Sequence, residues 1–348
     1  MSSFRRLKAW ATNALTPEAI HNHLVDDGVP VSDAPCRGCA DPCEEGHPEF
    51  PDRFKVDMES QMIGSVRPYR RQILISTAKT DWDRDVTSTR GSLAAFVDSA
   101  HYKSTSPAAT SNEARPSAPG VFHASSSTEI TILNGNHASV SDHDTQTVLV
   151  FPDYVAVAGI PASAKGAQML WKNALDPAIP RIIGASKPEP GIQTWVLPYA
   201  CVITMCSHKR RDARCAIAAP KLEQAFTHSL TSRGWTVDNQ LEHFIDLPLE
   251  KFPGSDEERE EHVTSTLKTL RGSQRALILY NSHVGGHRYN GVTIIYTPGG
   301  ATIWYGRVTP HDVEAIVEQT IIGGLVLPSL LRGGAGLAKP GCKSLHDW

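Results

Sequence analysis

The sequence predicts an α/β fold arranged in two domains, and three observations support this. The chain has 348 residues, and domains average roughly 150 residues. Strand-like apolar runs alternate with helical patterns in both halves. A Pro/Gly-rich stretch, Lys187–Gly191, separates the halves. We therefore place an N-terminal α/β domain at 51–190 and a second domain at 191–325. A tail with a Cys-rich loop, 1–50, precedes them, and a C-terminal tail, 326–348, follows them.

The N-terminal domain is predicted from three strand-like segments followed by a helical pattern. The strands are Arg71–Thr77, Glu129–Asn134 and Thr147–Tyr154, and the helical pattern lies between Tyr154 and Pro190. The segment 104–127 is rich in Ser, Ala, Pro and Thr, so we expect a flexible insertion there.

The C-terminal domain has the clearer alternation of strands and helices, and proline or serine marks where its helices begin. Its order is that of a small α/β sandwich of thioredoxin type, and we expect the N-terminal domain to be similar. The predicted elements are a strand ending at Met205, helices at Pro220–Ser232 and Asp256–Leu270, a strand at Arg275–Asn281, a hairpin of Val292–Tyr296 and Ala301–Gly306, and a helix at Pro310–Ile321.

Charge and hydropathy exclude two classes of partner. The chain has 34 basic and 37 acidic residues and a net charge of −3, so broad binding to nucleic acid is not expected. The longest apolar stretch, Ile321–Leu331, is interrupted by glycine and proline and is shorter than the ~20 residues that span a bilayer. We therefore predict neither nucleic-acid binding nor a membrane span.

Two loops carry the residue types of a metal site. One is CSHKRRDARC, from Cys206 to Cys215, and the other is HVGGH, from His283 to His287. Both follow predicted buried strands, and in open α/β sheets sites assemble at strand ends. Two cysteines and two histidines can complete a four-ligand site, which also fits the odd count of seven cysteines better than a set of disulfides does.

The spacing of these residues does not decide between metals. Zinc accepts two cysteines and two histidines in a tetrahedron. A 2Fe-2S cluster needs two ligands for each iron and accepts the same four. A Rieske centre is excluded, because Cys206 and His208 resemble the first half of its motif but Cys215 is followed by Ala-Ile-Ala instead of x-x-His. We therefore expect His208 to lie beside the site or at the surface.

Three segments in order, CSHKRRDARCAIAAP, SHVGGHRYNGVTIIY and WYGRVTPHDVEAIVEQTI, resemble the sucraseferredoxin-like family. That family includes the fungal actin-patches-distal and altered-inheritance-of-mitochondria proteins. The resemblance implies a C-terminal thioredoxin-like ferredoxin that holds a 2Fe-2S cluster, not of Rieske type, through Cys206, Cys215, His283 and His287. Ala216 departs from the glycine common in the family at this position. The implied function is electron transfer or redox sensing, in redox homeostasis or oxidative-stress defence, and an electron carrier is favoured over a catalyst.

Alternatives to this function remain open at the sequence level. The same four ligands would suit a zinc-stabilised interaction module. A thiol oxidoreductase could use Cys36 and Cys39. Together with Cys43 and His47 these cysteines could instead bind a metal, form a redox disulfide or be simple thiols.

Partners and location are predicted from charge and from the chain ends. The basic residues between Cys206 and Cys215 would either dock an acidic redox partner or form salt bridges within their loop. The terminal Asp347-Trp348 resembles a peptide that recruits the cytosolic iron–sulfur targeting machinery, which favours a cytoplasmic protein. The segment Met1–Pro17 is basic and amphipathic like a mitochondrial presequence, so mitochondrial import is the alternative.

Overall fold

A mixed β-sheet of twelve strands runs through both halves of the chain. The structure is a computed structural model that describes residues 15–40, 43–101, 116–141, 144–181 and 190–347. The helices within these ranges are all too short or too polar to span a lipid bilayer. The predicted presequence up to residue 14, the insertion from 104 to 115, most of Lys187–Gly191, and Trp348 lie outside the described residues.

The strands are short and mostly buried, and they alternate with helices along the chain. In order they are β1 (Arg71–Ser76), β2 (Val121–Phe122), β3 (Ile130–Gly135), β4 (Thr145–Phe151), β5 (Val155–Pro161), β6 (Gln193–Val196), β7 (Cys201–Cys206), β8 (Thr236–Asp238), β9 (Arg275–Asn281), β10 (Thr293–Tyr296), β11 (Thr302–Tyr305) and β12 (Leu331–Ala335). In the sheet they follow the order β2-β12-β11-β10-β7-β9-β3-β1-β4-β5-β6, and β8 pairs with β9.

Helices cover both faces of this sheet. They are α1 (Pro17–Asp26), α2 (Leu93–His101), α3 (Ala164–Leu170), α4 (Ala213–Thr231), α5 (Asp256–Leu270) and α6 (Val313–Ala315). A 3₁₀ turn (Pro310–Asp312) precedes α6, and a wider π-helical stretch (Ile316–Ile322) follows it. One apolar core packs α4 and α6 against the C-terminal strands, and a second core packs α5 on the other face. A third core packs α2 and α3 against β1, β4 and β5.

Each half of the chain repeats one strand order. In the first half β1 is parallel to β3 and antiparallel to β4, which pairs with β5. In the second half β7 is parallel to β9 and antiparallel to β10, which pairs with β11. The halves join where the last residues of β3 and β9, Gly135 and Asn281, pair antiparallel. The carboxyl ends of the parallel strands of both halves therefore face the same junction.

Most predicted strands and α5 match the structure closely, but the helix after Cys215 begins earlier than predicted. The sequence places its start at Pro220, whereas α4 begins at Ala213. The side chain of Asp212 accepts a hydrogen bond from the Arg214 amide and so caps the helix. Pro220 therefore lies inside the helix. Cys215 lies in its first turn and not in the predicted loop.

The segment after β4 also differs from the prediction. The sequence places one strand at Thr147–Tyr154 with a helical pattern after it. In the structure β4 ends at Phe151 and the chain reverses into β5 (Val155–Pro161). The residue at the reversal, Tyr154, has a positive φ of 65°. The apolar run of β5 fits a strand as well as a helix, and only the pairing with β4 decides between them.

Two segments predicted as insertion and tail belong to the sheet. Part of 104–127 forms β2, and part of 326–348 forms β12, whose five residues are all buried. The glycines of β12 permit close approach, because a Cβ on Gly333 would lie 2.4 Å from the Gly120 carbonyl oxygen. Glycine here reflects tight packing and not flexibility. A boundary at residue 325 would separate β12 from its own sheet.

Candidate metal centres

The two cysteines of the first predicted site lie where β7 leads into α4. Cys206 is the last residue of β7 and Cys215 is in the first turn of α4, and both are buried. The two side chains lie close enough for each to shift the pKa of the other. The Asp212 cap starts α4 early enough to bring Cys215 back beside the strand end.

The two histidines approach from the loop after β9, the parallel neighbour of β7. Gly285 and Gly286 have positive φ angles of 77° and 68°, so the chain turns between the histidines. The ring centroids of His283 and His287 are 5.4 Å apart. The His283 side chain is close enough to Cys206 to influence its pKa, and its Nδ1 is buried without a hydrogen-bond partner. The structure thus places Cys215 and His283 beside Cys206, and His287 beside His283. Their role as a common ligand set stays a prediction.

The electrostatics of this site favour the metal-binding protonation state at Cys206 and His287, but not at Cys215. The interaction with Cys215 lowers the pKa of Cys206 well below its usual value, although burial acts in the opposite direction, and His283 lowers it further. The pKa of Cys215 is raised, first by its contact with Cys206 and then by burial. Partial burial, and then the neighbouring His283, lower the pKa of His287. The pocket therefore favours a thiolate on one cysteine and a neutral imidazole on His287, the forms that bind metals.

His208 is buried beside these residues but has no free nitrogen for a metal. Its Nδ1 accepts a hydrogen bond from the His283 amide at 3.1 Å, so its proton is on Nε2, 2.8 Å from the Trp82 carbonyl oxygen. His208 therefore positions the backbone of His283. It also links the site to the N-terminal half of the chain.

Two residues at this site were missed from the sequence. The Cys215 sulfur lies 3.2 Å from Oδ1 of Asn290. Arg332 of β12 is buried and interacts electrostatically with Cys206, and it donates a hydrogen bond to the Gly285 carbonyl oxygen at 3.2 Å. Burial lowers the pKa of Arg332 to about 10. In the sequence, the indication of a role for Arg332 is that a single arginine stands between leucines and glycines.

The basic loop is partly neutralised within the molecule. Arg210 forms an ion pair with Asp83 at 2.7 Å, and Arg214 forms one with Asp212 at 2.7 Å. These contacts hold the loop in place. They favour the prediction that its basic residues form salt bridges over the prediction that they dock an acidic redox partner.

A second group of ligand-type side chains lies apart from this site. It consists of Cys39, Cys43, His47 and His311, whose ligand atoms all lie within 4.8 Å of one another, and it could hold a metal ion. The sulfur of Cys36 instead lies 2.8 Å from Oγ of Ser329. The contacts of Cys36 and Cys39 therefore give no support to a redox pair.

The predicted targeting peptide is described only in part. The Asp347 carboxylate accepts hydrogen bonds from the amides of Lys343 and Ser344 at 2.9 and 3.1 Å. Asp347 is thus held in a turn by its own neighbours. Its role in recruitment stays a prediction.

Comparison with known proteins relates this chain to one family. A family model described as sucrase/ferredoxin-like matches residues 62–333. Actin patches distal protein 1 of Saccharomyces cerevisiae is 26% identical over 298 residues, which cover 82% of this chain and 80% of that protein.

Two further relatives match over shorter segments. Altered inheritance of mitochondria protein 32 of Debaryomyces hansenii is 33% identical over 135 residues, 38% of this chain and 35% of that protein. Its counterpart in Meyerozyma guilliermondii is 29% identical over 132 residues, 38% of this chain and 34% of that protein. The chain thus matches about a third of the length of these two relatives. No solved structure matches.

Proposed function

This chain belongs to the sucrase/ferredoxin-like family, and from that premise we propose that it binds a 2Fe-2S cluster and transfers single electrons or senses redox state. Cys206 and Cys215 would bind one iron, and His283 and His287 the other. We assign it to redox homeostasis or oxidative-stress defence.

The single observation that carries this proposal is the buried Nδ1 of His283. A buried polar nitrogen without a partner costs free energy, which a bonded ligand would recover. It lies in a side chain that contacts Cys206, and Cys206 in turn contacts Cys215. The donor set therefore fits an iron–sulfur cluster with two ligands on each iron.

The residues of the site set the properties of such a centre. When bound, a 2Fe-2S cluster takes up and releases one electron. Two imidazoles in place of thiolates reduce the negative charge of the site and raise the reduction potential. The positive charge of Arg332 beside Cys206 acts in the same direction. His287 is exposed and gives a redox partner access to this edge.

We further infer that each half of the chain is a thioredoxin-like domain. The repeated order β3-β1-β4-β5 and β9-β7-β10-β11 supports this, as do helices between the parallel strands of each half. The proposed cluster would then lie in the C-terminal domain, against the loop after β1 of the N-terminal domain, which contains Trp82.

We infer a cytoplasmic location from the resemblance of Asp347-Trp348 to the iron–sulfur targeting peptide. The same peptide would recruit the targeting machinery as a partner. Fractionation of cells that produce the untagged chain tests this location, and recovery inside mitochondria would contradict it.

The function is tested by exchanging one proposed ligand for another ligand type. The wild-type protein is expected to absorb visible light as a 2Fe-2S protein does, and His287→Cys should retain that absorption. Its reduction potential should fall by on the order of 100 mV, because a thiolate adds negative charge. His243→Cys, the same change at another exposed histidine, should leave the potential unchanged. A colourless wild-type protein after anaerobic purification, or equal potentials in both variants, would contradict the proposal.

A further inference from the structure

The cluster of Cys39, Cys43, His47 and His311 joins the N-terminal segment to the start of the helical segment at Pro310. Cys39 Sγ lies 3.3 Å from His311 Nδ1, and Cys43 Sγ lies 3.2 Å from His47 Nδ1. The two imidazole rings meet edge to face, with centroids 5.2 Å apart. The four ligand atoms all lie within 4.8 Å of one another.

The size of this group fits one ion. Zinc binds sulfur at about 2.3 Å and nitrogen at about 2.0–2.1 Å, so a tetrahedron places S and N ligands about 3.6 Å apart. The observed S–N distances of 3.3 and 3.2 Å are close to this value. A cluster of two irons carries its ligands in two pairs and spreads them further. The group is thus compact enough for a single tetrahedral ion.

His311 is oriented as a metal ligand. It is only 7% exposed, and its Nε2 lies 3.0 Å from a carboxylate oxygen of Glu49. A carboxylate on the outer nitrogen fixes the ring and the tautomer, which leaves Nδ1 free to bind a metal. Reciprocal hydrogen bonds between Thr309 and Asp312 hold the turn that carries His311.

We propose that Cys39, Cys43, His47 and His311 bind one Zn²⁺ as a structural site, separate from the proposed iron–sulfur site. Two thiolates and two neutral imidazoles balance the charge of the ion and close its coordination sphere, as in structural zinc sites. The ion ties the N-terminal segment to the C-terminal half. Cys36, whose sulfur contacts Ser329, takes no part.

Metal analysis of the purified full chain tests this proposal. After incubation with Zn²⁺ and gel filtration, the wild-type protein should retain one zinc, and Co²⁺ in its place should give the absorption of a tetrahedral thiolate site. His311→Ala and Cys39→Ser should lose this zinc. Cys36→Ser, the matched cysteine control, should keep it. Cys43→His should also bind zinc, because it replaces one ligand by another.

The same variants separate this site from the proposed cluster. Cys206→Ser should keep the zinc and lose visible absorption, whereas His311→Ala should do the reverse. If His311→Ala fails to fold, two variants of Cys43, which lies in a loop, replace it. Cys43→Ser should lose the zinc, and Cys43→His should retain it. A wild-type protein without zinc, zinc that persists in His311→Ala or Cys43→Ser, or a Cys39–Cys43 disulfide in protein purified without oxidant would overturn the proposal.

Discussion

Arg332 combines two roles at the proposed iron–sulfur site. Its guanidinium is held by Oγ of Ser65 at 3.0 Å and by the Gly285 carbonyl oxygen at 3.2 Å. Gly286 has a positive φ of 68°, and a Cβ there would lie 2.3 Å from Nη2 of Arg332, so both the backbone and Arg332 favour glycine in the turn between the two histidines. Arg332 therefore shapes the histidine loop and also places a positive charge beside Cys206.

We predict that Arg332→Gln lowers the reduction potential of the iron–sulfur protein. Removing a buried positive charge disfavours the added electron, and the shift should be tens of millivolts or more. Arg332→Lys keeps the charge and should lie nearer to the wild-type potential. Redox titration followed by visible absorption measures all three proteins. Equal potentials in the two variants would show that the charge is irrelevant.

His137 makes the stability of the protein sensitive to acid. It is fully buried after β3, and burial lowers its pKa from 6.5 to about 4, while Nε2 bonds the Thr147 carbonyl oxygen. The unfolded chain binds a proton below pH 6.5 and the folded chain does not until about pH 4. The contribution of His137 is therefore complete above pH 6.5 and is lost as the pH falls toward 4.

We predict that the wild-type protein loses about 2 kcal/mol more unfolding free energy between pH 7 and pH 5 than His137→Gln does. Glutamine can still donate to the Thr147 carbonyl oxygen but does not titrate. Urea unfolding at the two pH values gives the difference. The same loss in both proteins would rule out His137 as the titrating group.

At the scale of elements, local sequence decides some boundaries and tertiary contacts decide others. The helix α5 follows its cap, Ser255, and the strand β9 matches its predicted bounds, since both carry strong local patterns. Pro220 is a residue type that often begins a helix, but α4 begins at Ala213 because the side chain of Asp212 caps it there. β12 could not be predicted because its glycines matter only through the strand packed against them.

The cap of α5 gives a direct test of local stabilisation. The hydroxyl of Ser255 accepts from the Glu258 amide, and the Glu258 carboxylate accepts from the Ser255 amide. We predict that Ser255→Ala lowers the unfolding free energy by about 1 kcal/mol. Ser265→Ala, at an exposed position within the same helix, should be neutral or slightly stabilising. Urea unfolding compares the two, and an equal effect would contradict the role of the cap.

At the scale of the whole molecule, the halves meet at the carboxyl ends of their parallel strands. The Ser207 hydroxyl donates to the Thr80 carbonyl oxygen at 2.8 Å, and His208 bonds the Trp82 carbonyl oxygen. The sequence predicted two alternating α/β halves but contained no pattern for this junction. The contact appears only when β3 and β9 pair at their ends.

The two candidate metal centres differ in how far the sequence could predict them. Cys206, Cys215, His283 and His287 follow two adjacent strands, so strand ends and loop composition were sufficient to select them. The cysteines and His47 of the second centre were noticed together, but their fourth member was not. His311 reaches them only because the N-terminal segment folds back against the turn at Pro310.

The metal and sulfide content of the pure chain tests the central claim most directly. Full-length protein purified without oxygen should contain two irons and two acid-labile sulfides per chain. Cys206→Ser should lose both, and Cys342→Ser, at a half-buried cysteine near the C-terminus, should keep both. Wild-type protein that binds zinc at Cys206 and contains neither iron nor sulfide would contradict the account.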